Sequence, residues 1–585
     1  MLSGIIGTAG TAVNTAGSNL SIDSDASFAA TSGTNIAIGT EAMGGGSLGD
    51  CDNNIAVGTT ALTNLTTGDY NIAIGSSACE ALKSNNANIG IGYKALTSID
   101  SGEHYNIAIG HEAMKNVDDA DADYNIAIGF QALEGGGDTK AHNIAIGVLA
   151  LDSSASAVSN VIAIGSEVMR GDMTGGAANN TVGIGYLALN ALTTGAGNVA
   201  VGMSAGKAIT SGSSNTFVGA YCGDDLQTSN QNTAMGYAAL GAVAGGNNTA
   251  MGYGAGQGNT GADNTFLGYQ AGDVNTGSYN VVVGSGALGG ATSVDKTVAI
   301  GNQALFSAND DSANGTVAIG WAAGYYSVPT GTAATAGNTI IGYSAGTDTG
   351  TDTGLTTGIQ TTVVGHQALG SNGGANITGN DNTVMGYRAG YEINSSAHSN
   401  TFIGSQAGNT TTTGTENTIV GYNCEAQDGT ATNQVVIGNN VTGTADNAVH
   451  IGNDSNHLYT AFSSDSWSAT SDIRQKKNIK DDTLGLEFIK SLKTKTYSHK
   501  SPSEFPKEWR AYNPDDKEPM DGNKVFHSLI AQEVKQSLDD INCTTFDGWS
   551  VDSDGRQRIS RTSFITPLIK AVQELSQQIE DLKKG

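Results

Sequence analysis

The nine residues Asn106-Ile107-Ala108-Ile109-Gly110-His111-Glu112-Ala113-Met114 decide how most of this chain is read. An asparagine opens the unit, three residues suited to a strand follow, a glycine interrupts them, and a small-plus-aliphatic pair closes it. Ile107 and Ile109 fall on one face of an extended segment and Ala108 on the other, the period-two pattern of a half-buried strand. Glycine then permits the tight bend or positive φ needed to turn a corner. Asn, Asp, Gly, Ser and Thr fill the remainder of the unit, as turn chemistry requires.

Working outward, the same unit recurs. Aligned on its glycine, it runs from Gly39, Gly58 and Gly75 to Gly421, Gly438 and Gly452, mostly at intervals of 16 to 20 residues. Self-similarity at that period predicts a solenoid. A coil this small cannot bury its apolar face alone, so neighbours must stack. With so few large side chains a single chain has only a thin core, and several chains wound around one axis would bury more; a trimer is expected. If each coil advances ~4.8 Å, two dozen coils make a shaft of about 110–120 Å. The fold class expected is mainly β: a long trimeric β-solenoid or β-roll shaft, then a small α+β C-terminal domain ending in a helical bundle or coiled coil.

The composition changes at Ser471. Of 27 basic residues only 8 precede it, against 36 of the 55 acidic ones, so the array carries the whole net charge of −28 and the tail is neutral. Five of the six prolines lie in the tail. These shifts divide the chain into an N-terminal attachment segment (1–34), the shaft (35–455), a linker (456–470) and a C-terminal domain (471–585). An acidic surface of this kind argues against nucleic acid, whose phosphates demand the opposite sign. No run reaches the roughly 20 apolar residues of a membrane helix, and residues 1–10 lack the basic start and apolar core of a signal peptide. Neither nucleic acid nor membrane insertion is expected.

Cys51, Cys79, Cys222, Cys424 and Cys543 show no metal-ligand spacing. Cys79, Cys222 and Cys424 stand where other units have small residues, and so read as buried fillers made in a reducing cytosol. Asp119, Asp121 and Asp123 alternate like a calcium loop but lack its following Gly and bidentate Glu. No metal and no cofactor is expected. Tyrosines just after the glycine (Tyr93, Tyr186, Tyr237, Tyr253, Tyr269, Tyr343, Tyr387, Tyr422) form a column with Phe130 and Trp321, read as structural stacking rather than a sugar platform. The widest intervals hold inserts at 325–337, 347–361 and 371–380, a candidate receptor-contact zone.

The Asn-Ile-Ala-Ile-Gly unit resembles the head repeat of trimeric autotransporter adhesins, which is built on a similar Asn-x-Val-Ala-Ile-Gly core and forms a β-roll. Units such as Asn248-Thr249-Ala250-Met251-Gly252-Tyr253-Gly254-Ala255-Gly256 look like those of phage tail fibres. The tail opens Ser471-Asp472-Ile473-Arg474-Gln475-Lys476-Lys477-Asn478-Ile479. It continues through Leu484-Gly485-Leu486-Glu487-Phe488-Ile489, His527-Ser528-Leu529-Ile530-Ala531-Gln532-Glu533-Val534 and Pro567-Leu568-Ile569-Lys570-Ala571-Val572. These blocks resemble the endosialidase-type intramolecular chaperone of phage tail spikes and fibres, with Ser528 where family members commonly have Gly.

That resemblance implies a domain that trimerises, drives folding of the β-structure before it, and then cuts itself off at Ser471–Asp472. Ser471 would be the nucleophile and Lys476 its base, a single-turnover serine peptidase with no external substrate. Independently, Ile565, Leu568, Val572, Leu575, Ile579 and Leu582 alternate at spacings of three and four, an a/d seam that predicts a trimerisation helix. The expected function is a homotrimeric phage tail fibre, made in the host cytoplasm and carried on the virion tail. It would bind a surface polysaccharide or outer-membrane protein and be held by other tail proteins through its N-terminus. A tail spike that degrades polysaccharide, and a bacterial surface adhesin, are the alternatives.

Overall fold

The three-residue apolar runs of the repeat become three-residue strands, each paired in parallel with the next copy of itself. In the computed structural model Ile107–Ile109 pairs in register with Ile126–Ile128, placing Ile107 beside Ile126, Ala108 beside Ala127 and Ile109 beside Ile128. The same register joins Leu20–Ile22 through successive units to Ala448–Asn453. The structure describes residues 13–14, 19–22, 33–44, 48–100, 102–136, 140–152, 157–173, 178–242, 244–308, 313–325, 337–347, 360–370, 379–394, 396–464, 468–469, 473–509, 511–552 and 555–585. The chain divides into two compact units, residues 1–470 and 471–585. It is mainly β, a long β-solenoid followed by a small mixed domain.

The strand faces are assigned by the tightness of the coil. Ala108, the central residue, is fully buried, while Ile107 and Ile109 are only partly covered. The closing pair, Ala113 and Met114, is buried against it from the opposite wall. The interior therefore has room for a methyl group from the strand and one longer side chain from the turn run. The bulky β-branched residues, which an ordinary half-buried strand would turn inward, form an outer apolar stripe instead. Along it Ile74, Met235, Met251, Leu267, Val281, Met385, Ile403, Ile437 and Ile451 are each 37–44% exposed.

In several coils interior volume is exchanged between the strand centre and the residue six positions on; in others, such as Ala200 with Gly206 and Ala250 with Gly256, the ring of the next coil fills the space. Where the strand centre is Ala234 or Ala127, the residue six positions on is Leu240 or Leu133, all four buried. Where the centre is Phe217, Phe266 or Phe402, that residue is Gly223, Gly272 or Gly408. A Cβ at Gly223 would lie 2.5 Å from Phe217 Cε1, so the phenyl ring occupies the space that leucine fills elsewhere. Gly110 has a different reason. Its φ is +142° and an added Cβ would come within 2.2 Å of the Gly129 carbonyl oxygen, so stacked backbones exclude any side chain there.

The leading asparagines form a ladder through the shaft. The Asn215 backbone N–H donates to Asn198 Oδ1 at 3.0 Å, and the Asn232 N–H donates to Asn215 Oδ1 at 2.9 Å. The Asn215 side-chain amide also donates to the Ser229 carbonyl at 2.9 Å. Equivalent links connect Asn35, Asn54, Asn71, Asn88, Asn106, Asn125 and Asn143. Each asparagine thus satisfies backbone groups that a turn would otherwise bury unpaired. Asn215→Ala is expected to destabilise the shaft by about 2 kcal/mol, because it leaves the Asn232 N–H and the Ser229 carbonyl without these partners. Calorimetric unfolding of the variant beside the parent measures this.

The end of the array is closed by a change of direction. His457–Ala461, in the stretch read as linker, pairs antiparallel with Ala448–Asn453, and Ser468–Ala469 pairs antiparallel with His457–Ala461. These strands cover the edge that the last parallel coil would otherwise present.

The second unit is built around Leu484, Phe488, Val534 and Leu538, with Leu529, Phe546, Trp549, Ile559 and Phe564 packed against them. Its helices are α1 (Leu486–Ser491), α2 (Ala531–Asp540) and α3 (Ile565–Lys584). Two small antiparallel ribbons join Lys495–Tyr497 to Phe526–Ser528 and Trp549–Val551 to Gln557–Ile559. The Leu486 N–H donates to Glu574 Oε2 of α3 at 2.8 Å, so a carboxylate from α3 caps the start of α1.

Candidate functional sites

Three features carry chemistry: the opening of the second unit, the apolar stripe of α3, and the ring columns of the shaft. Ser471 and Asp472, the expected cleavage pair, lie outside the described residues. Lys476, the expected base, follows the short 3-10 turn Ile473–Gln475, and its backbone N–H donates to the Ile473 carbonyl at 3.1 Å. Its side chain is exposed.

Helix α3 runs 20 residues and turns two unlike faces outward and inward. Pro567 and Ala571 are buried. Ile565, Leu568, Val572, Leu575, Ile579 and Leu582 share one stripe and are 45–82% exposed within the single chain. Charged and amide side chains such as Gln577 and Asp581 link on the other side, Gln577 Nε2 donating to Asp581 Oδ1 at 2.9 Å.

The ring column after the glycine is formed. Tyr237, Tyr253 and Tyr269 stack with centroids 5.2 and 5.4 Å apart, and Trp321, Tyr343 and His366 at 4.7 and 4.9 Å. His111 joins Tyr93 to Phe130 in the same column. A second column was not anticipated: Tyr105, Tyr124 and His142 stack nearly parallel at 5.0 and 5.2 Å. Its signal was present in the recurrence of an aromatic residue directly before the ladder asparagine, in Tyr105-Asn106 and Tyr124-Asn125. Both columns present exposed ring edges at the spacing of the coils. The inserts proposed as a contact zone (325–337, 347–361 and 371–380) lie, but for their end residues, outside the described residues.

The cysteines are free, and Cys51, Cys79, Cys222 and Cys424 are buried. Burial pushes the Cys79 and Cys222 thiols up to about 12, which removes them as nucleophiles and leaves them as core fillers. The carboxylates of Asp119 and Asp123 accept backbone hydrogen bonds, Asp119 Oδ1 within its turn from the Asp121 N–H and Asp123 Oδ1 across coils from the His104 N–H. Among the described residues no helix is long and apolar enough to cross a membrane.

With this geometry in place, the class is defined: a repeat β-solenoid followed by a small helical-and-ribbon domain. Residues 471–541 match the family described as chaperone of endosialidase, Peptidase_S74, so the second unit carries such a domain. The match takes in α1 and α2, whereas α3 lies beyond it. No curated protein and no solved structure matches the chain.

Proposed function

We propose that the protein is a bacteriophage tail fibre: a homotrimeric shaft that attaches to the host surface, assembled by its C-terminal domain, which then cuts the chain at Ser471–Asp472. The observation that carries the reading is the chaperone-of-endosialidase match placed directly behind a long repeat β-solenoid.

Two unpartnered apolar surfaces support a trimer. The outer stripe of the shaft repeats on coil after coil, and the α3 seam is exposed along its length. Burying such surfaces against further copies is favourable at roughly 25 cal/mol per Å². Long parallel arrays also pair slowly and expose edges while folding, so a C-terminal clamp that holds three chains in register raises their local concentration when it is most needed.

The cleavage chemistry follows from the same assembly. Ser471 Oγ attacks the carbonyl of the Ser471–Asp472 bond as Lys476 takes the hydroxyl proton; Lys476 returns that proton to the leaving amine of Asp472, and water then hydrolyses the acyl ester, leaving a carboxylate at residue 471 and restoring the hydroxyl. A lysine serves as a general base only as the neutral amine, a form favoured by desolvation or neighbouring cations. Arg474 and Lys477 flank it in sequence. Because Lys476 is exposed in the single chain, the neighbouring chains of a trimer supply that desolvation, which makes the cut wait for assembly. Host attachment is assigned to the inserts of the shaft, facing a surface polysaccharide or outer-membrane protein, with the N-terminal segment held by other tail proteins.

Sedimentation equilibrium of the purified protein tests the reading. Three chains per particle are expected, and Val572→Asp with Leu575→Asp is expected to remove most of the soluble trimer. A monodisperse, folded monomer from the parent sequence would overturn the proposal. Labelled trimer applied to a panel of bacteria is expected to decorate a subset of them, and polysaccharide release by the same trimer would point to a tail spike instead.

A further inference from the structure

The interior column three residues before the ladder asparagines is filled mostly by small side chains, as at Gly68, Ala122, Gly212 and Gly277, with Asn85 and Lys140 among the larger ones. In one coil it holds a glutamate. Glu103 is 0% exposed; its Oε2 accepts a hydrogen bond from Asn85 Nδ2 at 2.6 Å, and its Oε1 has no hydrogen-bond partner. A buried carboxylate oxygen left in this way is costly unless something positive meets it. Facing it are Asp100 and Asp118, which follow the buried Ile99 and Val117 on successive coils. One oxygen from each of the three carboxylates lies within 4.8 Å of the others.

We propose that Asp100, Glu103 and Asp118 form a divalent-cation site, suited to calcium, that clamps two adjacent coils of the shaft. The donors are all hard carboxylate oxygens, and they come from turn segments that can adjust. Calcium accepts six to eight oxygens at about 2.3–2.6 Å in irregular geometry, whereas magnesium demands a near-ideal octahedron. Water completes the shell.

The local charges fit a +2 ion. Lys83 Nζ lies 3.2 Å from Asp100 Oδ2, which leaves the three carboxylates and one ammonium with a net −2. The other lysines of this groove are committed elsewhere. Lys115 pairs with Glu112 at 2.8 Å and Glu134 at 3.6 Å, and Lys94 sits over the Tyr93 ring.

Calcium chloride titrated calorimetrically into the chelator-treated full-length protein tests this, beside Glu103→Gln and Asp118→Asn. One site per chain is expected, with a dissociation constant of about 10⁻⁵–10⁻³ M and at least about tenfold weaker binding in either variant. Glutamine keeps the shape and the acceptor for Asn85, and Asp118 is exposed, so at least the second variant folds and decides the matter alone if the first does not. Magnesium is expected to bind more weakly. Binding equal in parent and Asp118→Asn, or no saturable binding by the parent, would overturn the proposal, since diffuse attraction to the acidic surface loses little with one carboxylate.

Discussion

Replacing Ser471 with alanine is expected to leave the protein as a single 585-residue chain, where the parent is expected to yield a shaft and a released fragment beginning at Asp472. The effect is expected to be all or none, because alanine removes the hydroxyl on which the proposed cut depends. Denaturing electrophoresis with intact-mass measurement reads it directly. The variant should still assemble, since the serine hydroxyl is needed for the cut and not for the α3 seam or the solenoid. Lys476→Gln should slow cleavage strongly without altering assembly. If Ser471→Ala and the parent have equal mass, the self-cleavage proposal is wrong, whether because neither is cut or because both are.

Phe217→Ala should destabilise the shaft by about 3–5 kcal/mol, since the ring is fully buried and neighbouring coils cannot collapse onto the space it leaves. Gly223→Leu alone should be comparably harmful, because its Cβ would already lie 2.5 Å from the Phe217 ring. Together the two changes recreate the Ala-then-Leu arrangement of Ala234 and Leu240. The double variant is therefore expected to lose roughly 2–3 kcal/mol less than the sum of the two single losses, a coupling between positions six residues apart. Full recovery is not expected. Residue 223 has φ of +62°, and leucine adopts that region at a cost of about 1–2 kcal/mol, as Leu240 does at φ +50°. Calorimetry on the four proteins gives the cycle; additive losses would refute the account of volume exchange.

Much of the fold was legible because it is written in short-range pattern. The Asn–strand–Gly unit, its period, the asparagine ladder and the post-glycine ring column each repeat often enough to identify themselves. The tail was legible through its motif blocks, and Gly485 now has a reason: a Cβ there would meet Glu574 Oε1 at 2.4 Å, where α3 caps α1. The a/d spacing in residues 565–582 likewise placed one helix with one apolar stripe.

What the sequence by itself determined was therefore the solenoid, the change of character at Ser471 and the kind of domain beyond it. The tertiary structure decided which face of each strand is interior. A period of two distinguishes two faces but not the inner one, and here the narrow coil admits Ala108 and turns Ile107 and Ile109 outward. It also decided which residues share a volume or a charge across coils. Phe217 with Gly223, Tyr105 with Tyr124, and Asp100 with Glu103 and Asp118 meet only once stacking sets the register. The reason is physical: local propensity acts along the chain, whereas packing and electrostatics act through space, between residues that a coil of some 18 positions brings side by side.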